Sequence, residues 1–166
     1  MKNIFKVLVF SLLVFACKNE VKKEVEVEAT PKIALADFNK EAANWVGKEV
    51  EVAGIVDHVC KHGGKKILLV DDNGDVHVTG EKRFEESLVG DSITVKGIVK
   101  EFVIDEAYCS KQEGDVIQKH KEGEVADSIK TKKMTFIQKL RDSMKTQGVD
   151  HFSEYSIEYV SHKVKK

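Results

Sequence analysis

With 166 residues, the chain is long enough for one domain, or for one domain with appendages. Its 27 basic and 28 acidic residues nearly cancel, so no overall charge excess marks it as a binder of DNA or RNA. A single proline and 11 glycines exclude low complexity through most of its length, and 42% hydrophobic content can supply a core.

Residues 1–16 read as a secretory signal. Lys2 and Lys6 form the positive start, and Val7 to Ala16 is an apolar run broken only by Ser11, too short to span a bilayer. The run ends Val14-Phe15-Ala16-Cys17, which resembles a bacterial lipobox. That resemblance implies cleavage before Cys17, lipid modification of Cys17, and attachment to a membrane facing the periplasm or exterior. The alternative is an ordinary signal with a cysteine near the cut. Residues 17–33 are charged, lack aromatic residues and contain the sole proline, as expected of a tether between a lipid anchor and a folded body.

The body is expected to start near residue 34. Leu35, Phe38, Ala42 and Trp45 share one helical face, with Gly47 as the stop. Trp45 is expected to pack this helix onto a sheet rather than to serve as a stacking platform. An internal echo follows. Val46–Val56 and Val89–Val99 share the phrase V-G-x-x-[VI]-x-V-x-G-I-V. Each begins with apolar/polar alternation, the mark of a half-buried strand, and breaks it at an interior glycine, Gly54 or Gly97. Such a glycine marks a bulge or tight bend, which a small closed barrel needs.

Between the echoes, Lys66–Asp71 and Asp75–Thr79 read as a hairpin joined at Asp72-Asn73-Gly74. Lys82 to Leu88 reads as a short helix carrying Phe84 and Leu88 on one side. This order, with the V-G-K-x-V-x-V-x-G-x-V phrase, resembles the OB-fold, a five-stranded Greek-key barrel. The resemblance covers about residues 35–105 and is closest to the anticodon-binding-like OB domains of secreted bacterial proteins. It implies a mainly β body over residues 34–110. Residues 111–166 then form a C-terminal extension with an amphipathic helix, about Glu124 to Gln147, ended by Gly148. The closing fifth strand has two placements: Glu101–Asp105, or Tyr155–Tyr159. The helix crowds Lys130, Lys132, Lys133, Lys139, Arg141 and Lys145 onto its remaining positions, a solvated face or a contact for anionic headgroups or nucleic acid.

One stretch concentrates the chemistry: Asp57-His58-Val59-Cys60-Lys61-His62-Gly63-Gly64-Lys65-Lys66. On an extended strand, His58, Cys60 and His62 would project from one face. Three readings stay open. The first is a zinc or copper site at His58, Cys60 and His62, with Cys109 or water as fourth ligand; by analogy with OB-folds, Cys60 and Cys109 sit in loops beside one binding face. The second is a structural Cys60–Cys109 disulfide, favoured by export. The third is an anion or oligonucleotide site at Gly63, Gly64, Lys65 and Lys66, although nucleic acid is not the favoured partner of an exported lipoprotein. A bulge at Gly54 would decide which face carries the triplet. No Ser/His/Asp order, paired carboxylates or nucleotide fingerprint appears, so a binding role is expected and not catalysis: metal uptake, or an OB-face module for an oligonucleotide, glycan or protein with Cys60–Cys109 as a structural disulfide.

Overall fold

The computed structural model describes residues 30–165; the expected signal, Cys17 and most of the expected tether lie outside the described residues. The last tether residues belong to the fold. Strand β1 (Lys32–Ile33) pairs in parallel with β2 (Glu49–Val59), and the amide of Glu51 donates to the Pro31 carbonyl at 2.7 Å. Helix α1 (Leu35–Glu41) continues into a short 3-10 turn, Ala42–Trp45. Leu35, Phe38 and Ala42 are buried, while Trp45 packs half-exposed against the same core.

Strands β3 (Lys66–Asp71), β4 (Gly74–Thr79), β5 (Ser92–Asp105) and β6 (His151–Val164) complete the sheet. Its order is β1-β2-β3-β4-β6-β5, and a further β2–β5 pairing closes five of the strands into a barrel. All neighbours within the barrel are antiparallel except β4 and β6. This is the OB topology. Strand β2 makes closure possible by changing partners along its length. Glu49–Ile55 face β5, and Ile55–Val59 face β3. The core is aliphatic, with Val50, Val52, Val56, Ile67, Leu69, Val78, Ile93, Val95, Val99 and Ile157 almost fully buried.

The two echo glycines serve different ends. Gly97 lies at the register shift of the β5–β6 pair, where a Cβ would collide with the Ile157 side chain and the Glu158 carbonyl. Gly54 marks no bulge. It sits beneath α1, where a Cβ would come 2.8 Å from Leu35 Cδ1. Gly74 is likewise needed for close approach, because a Cβ there would lie 2.5 Å from the Leu35 carbonyl oxygen. The β3–β4 turn runs through Asp72-Asn73 without positive φ, and Asp71 Oδ1 accepts from the amides of Asn73 and Gly74 at 2.7 and 2.8 Å. The hairpin read from Asn-Gly exists, but as an Asp-initiated turn with glycine after it.

The segment expected as a helix over Lys82–Leu88 is extended, with a single 3-10 turn at Glu86–Leu88. Phe84 is held there by its amide, which donates to the Gly64 carbonyl at 2.8 Å. Of the two placements for the closing strand, β6 is the one used, and Glu101–Asp105 is the end of β5. The barrel therefore draws on the end of the chain, and the helices are an insertion between its last two strands. The β5–β6 ribbon continues past the barrel to the pair Asp105↔His151. It carries α2 (Glu106–Lys121) and α3 (Asp127–Gln147). Asp105 caps α2 by accepting from the Tyr108 amide at 2.7 Å, and Gly148, at φ 66°, ends α3. The helices close over a second small core of Cys109, Ile137 and Met144, with Tyr108, Leu140 and Phe152 against it.

Arg141 on α3 joins the two helices. Its Nε and Nη2 bond the Glu106 carboxylate at 3.0 and 2.7 Å, and its Nη1 reaches Glu113 at 2.9 Å. The hydrogen bond from Arg141 holds Glu106 below the usual carboxylate range, with Ser110 adding to the effect. A carboxyl lowered in the folded state contributes stability above its unfolded value of 4.5, and that contribution is lost as pH falls. Arg141→Gln is therefore expected to raise amide exchange in α2 and α3 at neutral pH while leaving β2–β4 protection unchanged. The difference between the variant and the parent should shrink as pH falls below 4.5. Equal exchange in both proteins at pH 7 would show that the bridge contributes nothing.

Candidate metal and ligand site

The chemistry-bearing stretch forms the end of β2 and the turn into β3. Val56 pairs with Leu69 and His58 with Leu68, so Asp57 is the extra residue of a bulge. The bulge thus falls at Asp57 and not at Gly54. Its effect is a change of face: Val56 and Val59 point into the core, while Asp57 and His58 face outward. Without it, His58 would continue the inward set of Val50 and Val52.

His58 is held from one side and presented on the other. Its Nδ1–H donates to Asp57 Oδ2 at 2.7 Å, and its Nε2 lies 3.7 Å from Cys60 Sγ. A tetrahedral ion with ordinary bonds of ~2.3 Å to sulfur and ~2.0 Å to nitrogen sets those two donors ~3.5 Å apart. The His58–Cys60 edge is therefore close to a bidentate chelating geometry. A carboxylate on the remote imidazole nitrogen fixes the tautomer that offers Nε2 to a ligand, as an outer partner of a metal-bound histidine does. Cys60 is half-buried, and its amide donates to the Lys66 carbonyl at 2.8 Å.

The remaining candidates are placed differently. His62 is exposed on the turn beyond the strand, so it does not share a strand face with His58. Among the described residues, no three His, Cys, Asp or Glu side chains converge as a ready metal site. Cys109 is on α2, fully buried with Ile137 and Met144. Burial pushes its thiol pKa up, against the opposing pull of Arg141. Cys60 and Cys109 are both free thiols, which corrects the expected approach of the two and the disulfide reading. The physical reason is α2, which begins directly after β5 and turns Cys109 into the helical core. Iodoacetamide applied to the native protein should therefore alkylate Cys60 and spare Cys109 until denaturant is added. Equal native labelling of both would contradict this placement.

Gly63 and Gly64 have φ of 88° and 64°, conformations suited to glycine. Their amides, however, are used inside the turn. Gly63 donates to the Lys61 carbonyl at 3.1 Å and Gly64 to the Cys60 carbonyl at 3.0 Å. The turn therefore offers the exposed side chains of Lys65 and Lys66, not a nest of free glycine amides. The neighbouring loop locks it: Gly80 donates to the Lys65 carbonyl at 2.8 Å, and a Cβ on Gly64 would lie 3.1 Å from Arg83 Nε.

His58 also belongs to an outward row across the sheet, since it pairs with Leu68, which pairs with His77. Desolvation lowers the His77 pKa from 6.5, helped by Lys66 and opposed by Asp75. His77 lines an open cavity of ≈ 400 Å³ with Asn39, Ser153, Glu154 and Tyr155. Sequence reading missed one contributor. Asp57 was visible as the acid preceding His58, but its role needed the bulge.

No protein-family model matches the chain, and no curated protein sequence matches it. A solved structure of a protein assigned as an aspartyl-tRNA synthetase from Leishmania major Friedlin is similar, at 15% identity and a TM-score of 0.34. The match covers 49% of this chain and 18% of that chain, so this chain spans less than a fifth of the relative.

Proposed function

We propose that this chain is an exported, lipid-anchored OB-fold binding protein that takes up a transition-metal ion, zinc or copper, at His58 and Cys60. The observation that carries this reading is the 3.7 Å approach of His58 Nε2 to Cys60 Sγ, with Nδ1 engaged by Asp57. Imidazole and thiolate are the donors that suit these ions, and no carboxylate is needed in the direct shell. Water completes the remaining positions, and His62 on the adjoining turn is the further donor the site would recruit. Membrane attachment rests on the lipobox-like Val14-Phe15-Ala16-Cys17 and on the charged segment after it. Both donors bind metal only when deprotonated, so uptake should weaken as pH falls.

The test is zinc titration of the protein by equilibrium dialysis. One ion per chain is expected, removable by chelator and reduced in Cys60→Ser. Unchanged metal content in the His58→Ala, His62→Ala double variant would overturn the assignment. A second reading uses the sheet face itself, on the strength of the row His58–Leu68–His77 and the exposed Lys65 and Lys66 beside it. A binder of that kind would lose its ligand in Lys65→Gln, Lys66→Gln and resist chelator. A nucleic-acid ligand would also weaken steeply with salt.

A further inference from the structure

A separate cavity of ≈ 620 Å³ opens between the β4–β5 connection and strand β6, within the range of small-molecule sites. Its walls are fixed in advance. The connection is tied to the β2–β3 turn by the Gly80 and Phe84 amides, each 2.8 Å from its carbonyl acceptor. An aromatic pair forms one wall: Phe84 and Tyr159 meet edge to face, centroids 5.2 Å apart and planes at 85°. The Tyr159 hydroxyl lies 2.9 Å from His162 Nδ1, which fixes the ring.

The charges around this wall are of both signs. Lys82 and Arg83 line the cavity as cations, and Glu81 and Glu85 as anions. Among the described residues, none of these four has an oppositely charged side chain within 4.0 Å. Glu158, which also lines the cavity, differs: Lys100 neutralises it at 2.9 Å. A ligand with only an anion would face Glu81 and Glu85 at a cost, and one with only a cation would face Lys82 and Arg83. A flat ring carrying both charges satisfies every group.

We propose that this cavity is a binding site for a free aromatic α-amino acid. The ring packs on Phe84 and Tyr159, the carboxylate meets Arg83 and Lys82, and the ammonium meets Glu81 and Glu85. The site shares no residue with the His58–Cys60 edge and stands apart from metal uptake.

The test is an amide-shift titration of the ¹⁵N-labelled protein with L-tryptophan, and with tryptamine and indole-3-propionate, which each keep one charge. L-Tryptophan should give saturable shifts confined to residues 80–90 and 157–163. Each single-charge analogue should bind about tenfold more weakly, the worth of one charge-assisted contact. Arg83→Gln should weaken L-tryptophan and indole-3-propionate but not tryptamine, and Lys82→Gln should do the same to a smaller degree. Absence of saturable shifts, equal binding of all three compounds, or shifts centred on the helical hairpin would each overturn the proposal.

Discussion

Gly97→Ala should cost the protein ~3 kcal/mol or more, a large fraction of the stability of a domain this size. The new Cβ would collide with the Ile157 side chain and with the Glu158 carbonyl on β6. Neither neighbour has room to move. Ile157 is fully buried, and Glu158 pairs with Ile98 in the closing ladder. Relief therefore requires β5 and β6 to part at the register shift, which opens the barrel along one seam. Gly54→Ala, at the matching position of the echo, is a milder change. Its closest neighbour is the end of a flexible side chain, Leu35 Cδ1, although the Val70 carbonyl at 3.0 Å adds some strain. Urea midpoints should fall in the order parent, Gly54→Ala, Gly97→Ala. A Gly97→Ala protein as stable as the parent would contradict a close β5–β6 approach at Gly97.

The second large effect concerns metal affinity at the β2–β3 edge. Cys60→Ser should abolish tight zinc binding, because serine stays protonated and supplies only a hard, neutral donor. Asp57→Asn should weaken binding by about 10–100-fold without touching either donor atom, the usual cost of losing an outer partner of a ligating histidine. It leaves the bulge and the fold intact, because Asp57 is an exposed extra residue of the strand. Competition with a chromophoric chelator would read both. A zinc affinity in Asp57→Asn equal to the parent's would show that the Asp57 carboxylate does not support the imidazole as a ligand. Equal affinity in Cys60→Ser would show that the thiol is not a ligand.

The barrel was legible because its signals are local. Strands β2 and β5 announced themselves through alternation and a repeated phrase, and α3 through its apolar spacing and Gly148. Helix α2 was not legible. Only Cys109 and Val116 along it are buried, and Gly114 interrupts it, so its sequence carries almost no helical stripe. Its best sign was Asp105, an acid placed to cap the first turn. The closing strand β6 was ambiguous because much of it runs in a ribbon beyond the barrel, half-exposed on both faces, where alternation fades.

The site was legible as composition and not as geometry. His58, Cys60 and His62 suggested a shared face through their spacing, and that inference assumed an unbroken strand. The bulge at Asp57 and the end of β2 at Val59 broke the assumption. His58 and Cys60 stayed together, His62 passed to the turn, and Cys109 went to the core between α3 and a helix, α2, that the sequence did not disclose. The glycine pair misled in a similar way. Gly63 and Gly64 do adopt positive φ, yet they spend their amides on closing their own turn. Whether an amide is free depends on its acceptor, and no residue pattern states that.

The most direct measurement is a native, non-reducing mass spectrum of residues 18–166 after equilibration with zinc and, separately, with copper, purified without a metal-binding tag. A mass increment of one ion is expected, lost on acidification and absent from the His58→Ala, Cys60→Ser double variant. A spectrum with no increment under either metal, or one that the double variant reproduces, would contradict it.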